Sequence, residues 1–139
     1  MLIGGCGEGS EASSNLTKAE FVEQADAVCA KREKIWREAG ASYAKEIEAK
    51  GAANTPVVQR EILATTLEDT LLPALDDQRE ELEGLGSPQG REDQVEKMLE
   101  TLSTGIHELE DKGLEAVPQT QLATFQKQAE SLGVTCPIP

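Results

Sequence analysis

The imidazole and thiol side chains, which serve most readily as bases, nucleophiles and soft metal ligands near neutral pH, are few: one histidine and three cysteines. His107 stands among Glu108, Glu110 and Asp111. A di-iron helical site repeats Glu-x-x-His on two inward-facing helices. Here the residue three before His107 is Thr104, and the chain has no second histidine. His107 is therefore expected at the surface, paired with Glu110 or Asp111. Cys6, Cys29 and Cys136 form neither a CxxC pair nor a Cys/His cluster, so a zinc site is not expected. The acidic groups Asp76-Asp77, Glu80-Glu81-Glu83 and Glu108-Glu110-Asp111 lack the Asp/Asn spacing and central glycine of a calcium loop. They read as solvated helix faces. Phosphate-cradling glycine loops, dinucleotide fingerprints and serine-nucleophile motifs are absent, and nothing singles out two carboxylates as an acid–base pair. The expectation is a chain with no catalytic residue, no metal and no cofactor.

Charge narrows the partners. The formal net charge is −13 over 139 residues. Segment 18–50 is balanced, while 51–139 carries seventeen acidic residues against six basic ones. Such a chain repels phosphate backbones, so nucleic acid is excluded as a partner. It also avoids anionic membrane surfaces unless something else holds it there.

The opening Met1-Leu2-Ile3-Gly4-Gly5-Cys6-Gly7 resembles the end of a bacterial lipoprotein signal, the lipobox. An aliphatic residue lies three before the cysteine, and small residues lie directly before it, where a signal peptidase must reach the bond. The thiol would then take a diacylglyceryl group. The basic and apolar regions that normally precede this motif are missing, and an arbitrary glycine-rich start is the alternative. On this reading residues 1–6 are a signal remnant with Cys6 lipidated. Residues 7–16, with almost no apolar side chain larger than Ala, are a flexible tether. Residues 17–136 are the folded domain, and 137–139 a tail. The membrane is met through the lipid on Cys6, which places the chain outside the cytoplasm as a secreted, envelope-anchored protein.

What must position everything else is helical. Aromatic content is 3%, so the core is built from Leu, Ile, Val and Ala. The abundant Leu, Ala, Glu, Gln and Lys are strong helix formers. Four segments follow. The first begins at a capping box, Thr17 with Glu20, and stops near Gly51; its apolar positions from Phe21 to Ile47 fall within an arc of about 140°. The second opens at Asn54-Thr55-Pro56, with a stripe of Ala64, Leu67, Leu71, Ala74, Leu75, Leu82 and Leu85. Pro73 inside it predicts a kink or short break near Leu71–Leu72. The third runs from about Glu92 to Leu114, and the fourth from after Pro118 to Gly133. Short connections predict an all-α, up-down-up-down four-helix bundle.

Three side chains stand out on the first helix. Arg32 projects into the apolar arc and must snorkel or find an acidic partner on the second or third helix. Trp36 and Tyr43, seven residues apart, share a face. They read as core. With Arg32 they are also the one candidate ligand or partner surface. The basic cluster Lys31-Arg32-Lys34-Arg37 reads as internally paired, with a docking surface as the alternative.

Cysteine parity is informative. With Cys6 lipidated, Cys29 and Cys136 remain. A bridge would close a loop of about 107 residues, worth up to roughly 4–5 kcal/mol in the chain-entropy model; two buried free thiols are the alternative. The bundle accommodates the bridge. Cys29 lies roughly 18 Å along the first helix, and residues 134–136 span about 10 Å from the end of an antiparallel fourth.

Several stretches together resemble a family of small secreted or lipid-anchored helical proteins of actinobacteria and relatives. They are Leu16–Phe21, Gln24–Lys31, Leu72-Pro73-Ala74-Leu75, Leu82–Pro88, Gly105–Glu110 and Leu132–Cys136. The resemblance covers residues 16–136 and implies the early-Cys to late-Cys bridge. It implies no enzymatic activity. Arg32 and Trp36 are bulkier than the residues expected at those places. The functional expectation is a non-enzymatic binding or adaptor module that meets an envelope protein. The alternative is a small-ligand or sensor module using a pocket near Trp36, Tyr43 and Arg32.

Overall fold

The structure, a computed structural model, describes residues 16–139. Within them the chain is helical, without strands; a single isolated bridge joins Leu16 and Pro88. Five α-helices carry it: α1 (Lys18–Lys50), α2 (Pro56–Thr66), α3 (Leu72–Leu85), α4 (Glu92–Lys112) and α5 (Gln121–Ser131). A π-turn, Leu67–Leu71, joins α2 to α3, so four helical segments result. Short 3-10 turns at Gly51–Ala53 and Leu114–Gln119 make two of the connections.

The helix starts follow from local chemistry. Thr17 Oγ1 accepts from Glu20 N at 3.1 Å while Thr17 N donates to Glu20 Oε1 at 3.0 Å, so two otherwise orphaned donors are satisfied reciprocally. Thr55 caps α2 through Val58 N, with Pro56 in the first turn, where its missing N–H costs nothing. Gly86 and Gly113 end α3 and α4 at φ 81° and 84°, a region that a side chain disfavours.

Pro73 does not interrupt the helical run. The Leu72 N–H reaches back to the carbonyl of Leu67, five residues earlier. This wide turn makes room where the proline ring would crowd the carbonyl four residues before it. It has a consequence for packing. One extra residue in a turn resets the helix phase by about 100° for everything upstream. Ala64, which an unbroken stripe places in the core, is exposed, and Ile62 is buried instead.

The core is one cluster. It takes Phe21, Ala25, Cys29 and Trp36 from α1, Leu75 and Leu82 from α3, Met98, Leu102 and Leu109 from α4, and Leu122, Phe125 and Ala129 from α5. α4 and α5 are in close contact at Gly105. A Cβ built there would lie 2.7 Å from the backbone nitrogen of Leu122.

Cys29 and Cys136 are disulfide-bonded across 107 residues of sequence, and both are buried. The Gln78 side-chain amide lies against the bridge, its Nε2 3.2 Å from the Cys136 sulfur and 3.6 Å from that of Cys29. Segments assigned to tether and tail join the fold at its edges. Leu16 packs against the core and its carbonyl accepts from Gln89 N at 3.2 Å. Thr135 N donates to Asp26 Oδ1 at 2.8 Å, Trp36 Nε1 donates to the Pro137 carbonyl at 3.1 Å, and Ile138 packs on the cluster.

Candidate functional site

Arg32 is 4% exposed. Its Nε donates to the Ala74 carbonyl at 3.0 Å, and its Nη2 meets Glu81 Oε1 at 2.8 Å. Lys31 holds the other oxygen of Glu81 at 3.0 Å. The Lys31 hydrogen bond first, then the charges of both cations, keep the Glu81 carboxyl below its ordinary value of 4.5. The acidic partner expected for Arg32 is thus found on the second helical segment. Arg37 pairs within its own helix, with Glu33 at 3.5 Å.

Arg32, Trp36 and Tyr43 do not converge on one cavity. Trp36 and Tyr43 line a small apolar cavity of about 230 Å³, closed by Leu63, Leu71, Leu114 and Pro139. Arg32 is not among its lining residues; its Nε and Nη2 are engaged with Ala74 and Glu81. Trp36 is buried, as its place on the stripe implies, with its indole N–H fixed by Pro137.

His107 is exposed, as expected, but its partner differs. Its Nδ1 lies 2.9 Å from the Ser103 carbonyl, one turn back in α4. In a helix that carbonyl is the nearest acceptor, and it leaves Glu110 and Asp111 free to face elsewhere. Among the described residues no group of three or more His, Cys, Asp or Glu side chains is placed to hold a metal ion, and no helix is long and apolar enough to cross a membrane. Cys6, the proposed lipidation site, lies outside the described residues.

A larger cavity lies elsewhere. A cleft of about 840 Å³ opens between the α2–α3 run and the end of α4. Leu63, Leu67, Leu72 and Leu114 form its floor, with the π-turn beneath. Around it stand Glu68, Asp76, Glu110, Asp111 and Glu115, all exposed, with Arg60 and Lys112 as the cations. Lys112 is partly occupied by Glu108, 3.7 Å away. None of the five carboxylates has an ion-pair partner among the described residues. Val57, 56% exposed, is the one large hydrophobic side chain that is exposed among the described residues. It lies two turns from Ala64 on the same face of α2, with Arg60 between them.

The sequence reading places Asp76, Glu110 and Asp111 on solvated faces, singles out neither Glu68 nor Glu115, and does not join positions 60–76 to 110–115. The available signal was apolar: Val57 and Leu63 sit off the unbroken stripe, in a helix otherwise patterned for one face. Comparison of the chain with protein-family models, with curated proteins and with solved structures gives no match.

Proposed function

We propose that this is a non-enzymatic binding module held at the outer face of the cell membrane by lipid on Cys6, with the cleft between α2–α3 and α4 as its working surface. One observation carries the binding reading: an open cleft of about 840 Å³ among the described residues, within the size range of ligand sites. Its walls are aliphatic groups, carboxylates and two cations, without imidazole, thiol or hydroxyl. That inventory favours recognition over group transfer. The buried Cys29–Cys136 bridge is consistent with an oxidising compartment, and with Cys6 lipidated no thiol is left over. The resemblance of residues 16–136 to lipid-anchored actinobacterial helical proteins points the same way.

The architecture we infer is the up-down-up-down bundle. Residue numbers fall along one helix as they rise along its neighbour: Leu16 meets Pro88, Cys29 meets Gln78, Arg32 meets Ala74. Likewise Gly105 and Glu108 of α4 meet Leu122 and Gln121 of α5. A change of axis direction at the π-turn before Pro73 belongs to the same proposal.

Two measurements test it. Intact mass of the native protein from the membrane fraction is expected to carry a diacylglyceryl adduct at Cys6; an unmodified Cys6 overturns the anchor. A photocrosslinking residue at Ala64, in the cleft, is expected to capture one envelope component that the same residue at Glu96 does not. Equal capture at both removes the cleft from the function.

The small cavity beside Trp36 and Tyr43 supports a second reading, as a site for a compact apolar ligand. Titration of Trp36 fluorescence with small aromatic hydrocarbons checks it. An invariant emission spectrum eliminates it.

A further inference from the structure

We propose that the cleft takes a basic amphipathic helix of a partner protein. This rests on the binding-module reading and names the class of partner. Its floor is buried and half-buried leucine, open to solvent through the cleft, and Val57 stands exposed on the same face of α2 beyond Arg60. An open cleft with an apolar floor and a charged rim suits an amphipathic complement. The rim fixes the sign of that complement. Five carboxylates face two cations, one of which is already drawn to Glu108. Lys or Arg side chains on a partner would find acceptors with no competing ion pair, and their aliphatic stems would lie on the leucines.

Length argues for a helix over a small cation. The floor follows the α2–α3 run from Arg60 to Asp76, about 24 Å at the helical rise. A small organic cation would cover a fraction of it; about four turns of helix would cover it all. A second copy of this chain is disfavoured by charge, since two bodies of net charge −13 repel. The basic cluster of α1 is a weak substitute: Arg32 is buried, Lys31 and Arg37 have acidic partners, and Lys34 is its one exposed member without an ion pair among the described residues.

The test uses the disulfide-bonded chain and a designed peptide of about eighteen residues, alternating Lys and Leu at helical spacing. Three controls accompany it: the same composition scrambled to abolish the apolar face, the peptide with Glu for Lys, and spermine. Binding is read by fluorescence anisotropy, and the site by amide shifts. The amphipathic peptide is expected to bind and to shift resonances of Val57–Asp76 and 110–115. The variant Glu68→Gln, Asp76→Asn, Glu110→Gln, Glu115→Gln is expected to weaken it about tenfold, the sum of four modest surface pairings. The matched variant Glu92→Gln, Glu96→Gln, Glu100→Gln, Glu130→Gln removes equal charge elsewhere and is expected to weaken it less than about threefold.

Equal weakening by both sets, or equal binding of the scrambled peptide or of spermine, would show diffuse attraction to an acidic chain and overturn the proposal. Absence of peptide binding overturns it also. Self-association by light scattering, blocked by Ala64→Arg, would replace it with a dimer interface. If the peptide fails while a crosslinker at Ala64 still captures an envelope component, this inference falls and the binding-module reading stands.

Discussion

Lys18–Trp36 and Arg37–Lys50 are successive stretches of one helix, yet they are held by different means. The first stretch buries Phe21, Ala25, Cys29, Arg32 and Trp36. It is bonded covalently to Cys136, ionically to Glu81 and by hydrogen bonds to the C-terminal residues. The second stretch buries nothing fully; Ala39, Tyr43 and Ile47 are half-covered. The helix that follows it, α2, buries Ile62 alone. The hairpin of residues 37–66 is therefore an arm on a stapled body, and both the large cleft and the small cavity lie where arm meets body. Stability resides in one region and open surface in the other. Low contact with the core gives an element a smaller opening free energy than the global one, which suits a surface that must adapt to a partner.

The sharpest way to break this contrast is to remove the staple. Cys29→Ser with Cys136→Ser is expected to lower unfolding stability by up to about 4–5 kcal/mol, read as a fall in the urea midpoint. Amide exchange in the arm should change far less than exchange in α1 before Trp36. If the arm loses protection in step with the body, the two are one cooperative unit and the distinction fails.

Gly105→Ala comes next. The added Cβ meets backbone and side chain of Leu122 inside 3 Å. The backbone cannot yield without separating α4 from α5. The expected loss is about 1–3 kcal/mol, against a helix propensity that favours Ala by about 1 kcal/mol. A neutral or stabilising result in denaturant unfolding would mean that this contact is slack.

Glu81→Gln probes the ionic tie. It leaves the buried Arg32 guanidinium without its carboxylate, at a cost of about 1–3 kcal/mol at neutral pH. The lower part of that range is expected, because Glu81 itself is 37% exposed and screened by water. The sign with pH follows from its lowered pKa. The folded state binds the Glu81 proton more weakly than the unfolded chain does. Its stabilisation is complete above 4.5 and is lost as pH falls through the folded value. The midpoint difference between wild type and Glu81→Gln should therefore be full at neutral pH and close in acid. A gap that persists below the folded-state value would assign the effect to packing rather than charge.

Legibility in the sequence divides along the same line. The helix starts at Thr17 and Thr55, the stops at Gly51 and Gly113, and the acidic partner for Arg32 were all readable, because capping and an apolar stripe are local properties of consecutive residues. The Cys29–Cys136 pairing was readable from parity and helix length. The π-turn was not. Pro73 announces a disturbance but does not say whether the chain bends, breaks or widens a turn, and that choice decides whether Ala64 or Ile62 is inside. Gly105 was equally silent, since only the partner helix shows that its missing Cβ is required. The cleft was hidden for a third reason. Its carboxylates come from segments more than thirty residues apart, and each alone is indistinguishable from an ordinary wet face.

The smallest effect is the most discriminating, because it has the opposite sign. Gly40 sits in the interior of α1, in the arm, and a Cβ there meets nothing within 4 Å. Glycine within a helix costs roughly 0.5–1 kcal/mol relative to alanine through backbone entropy. Gly40→Ala should therefore recover up to about that amount, where Gly105→Ala loses more than it. Because Gly40 borders the cavity of Trp36 and Tyr43, Trp36 emission separates the two ways the substitution can act. Stiffening of the arm raises amide protection from Arg37 to Lys50 and leaves the indole spectrum unchanged. Filling of the cavity shifts the spectrum. A loss of stability would mean that the arm lies closer to the body than its open cleft implies, and the contrast between the two glycines would collapse.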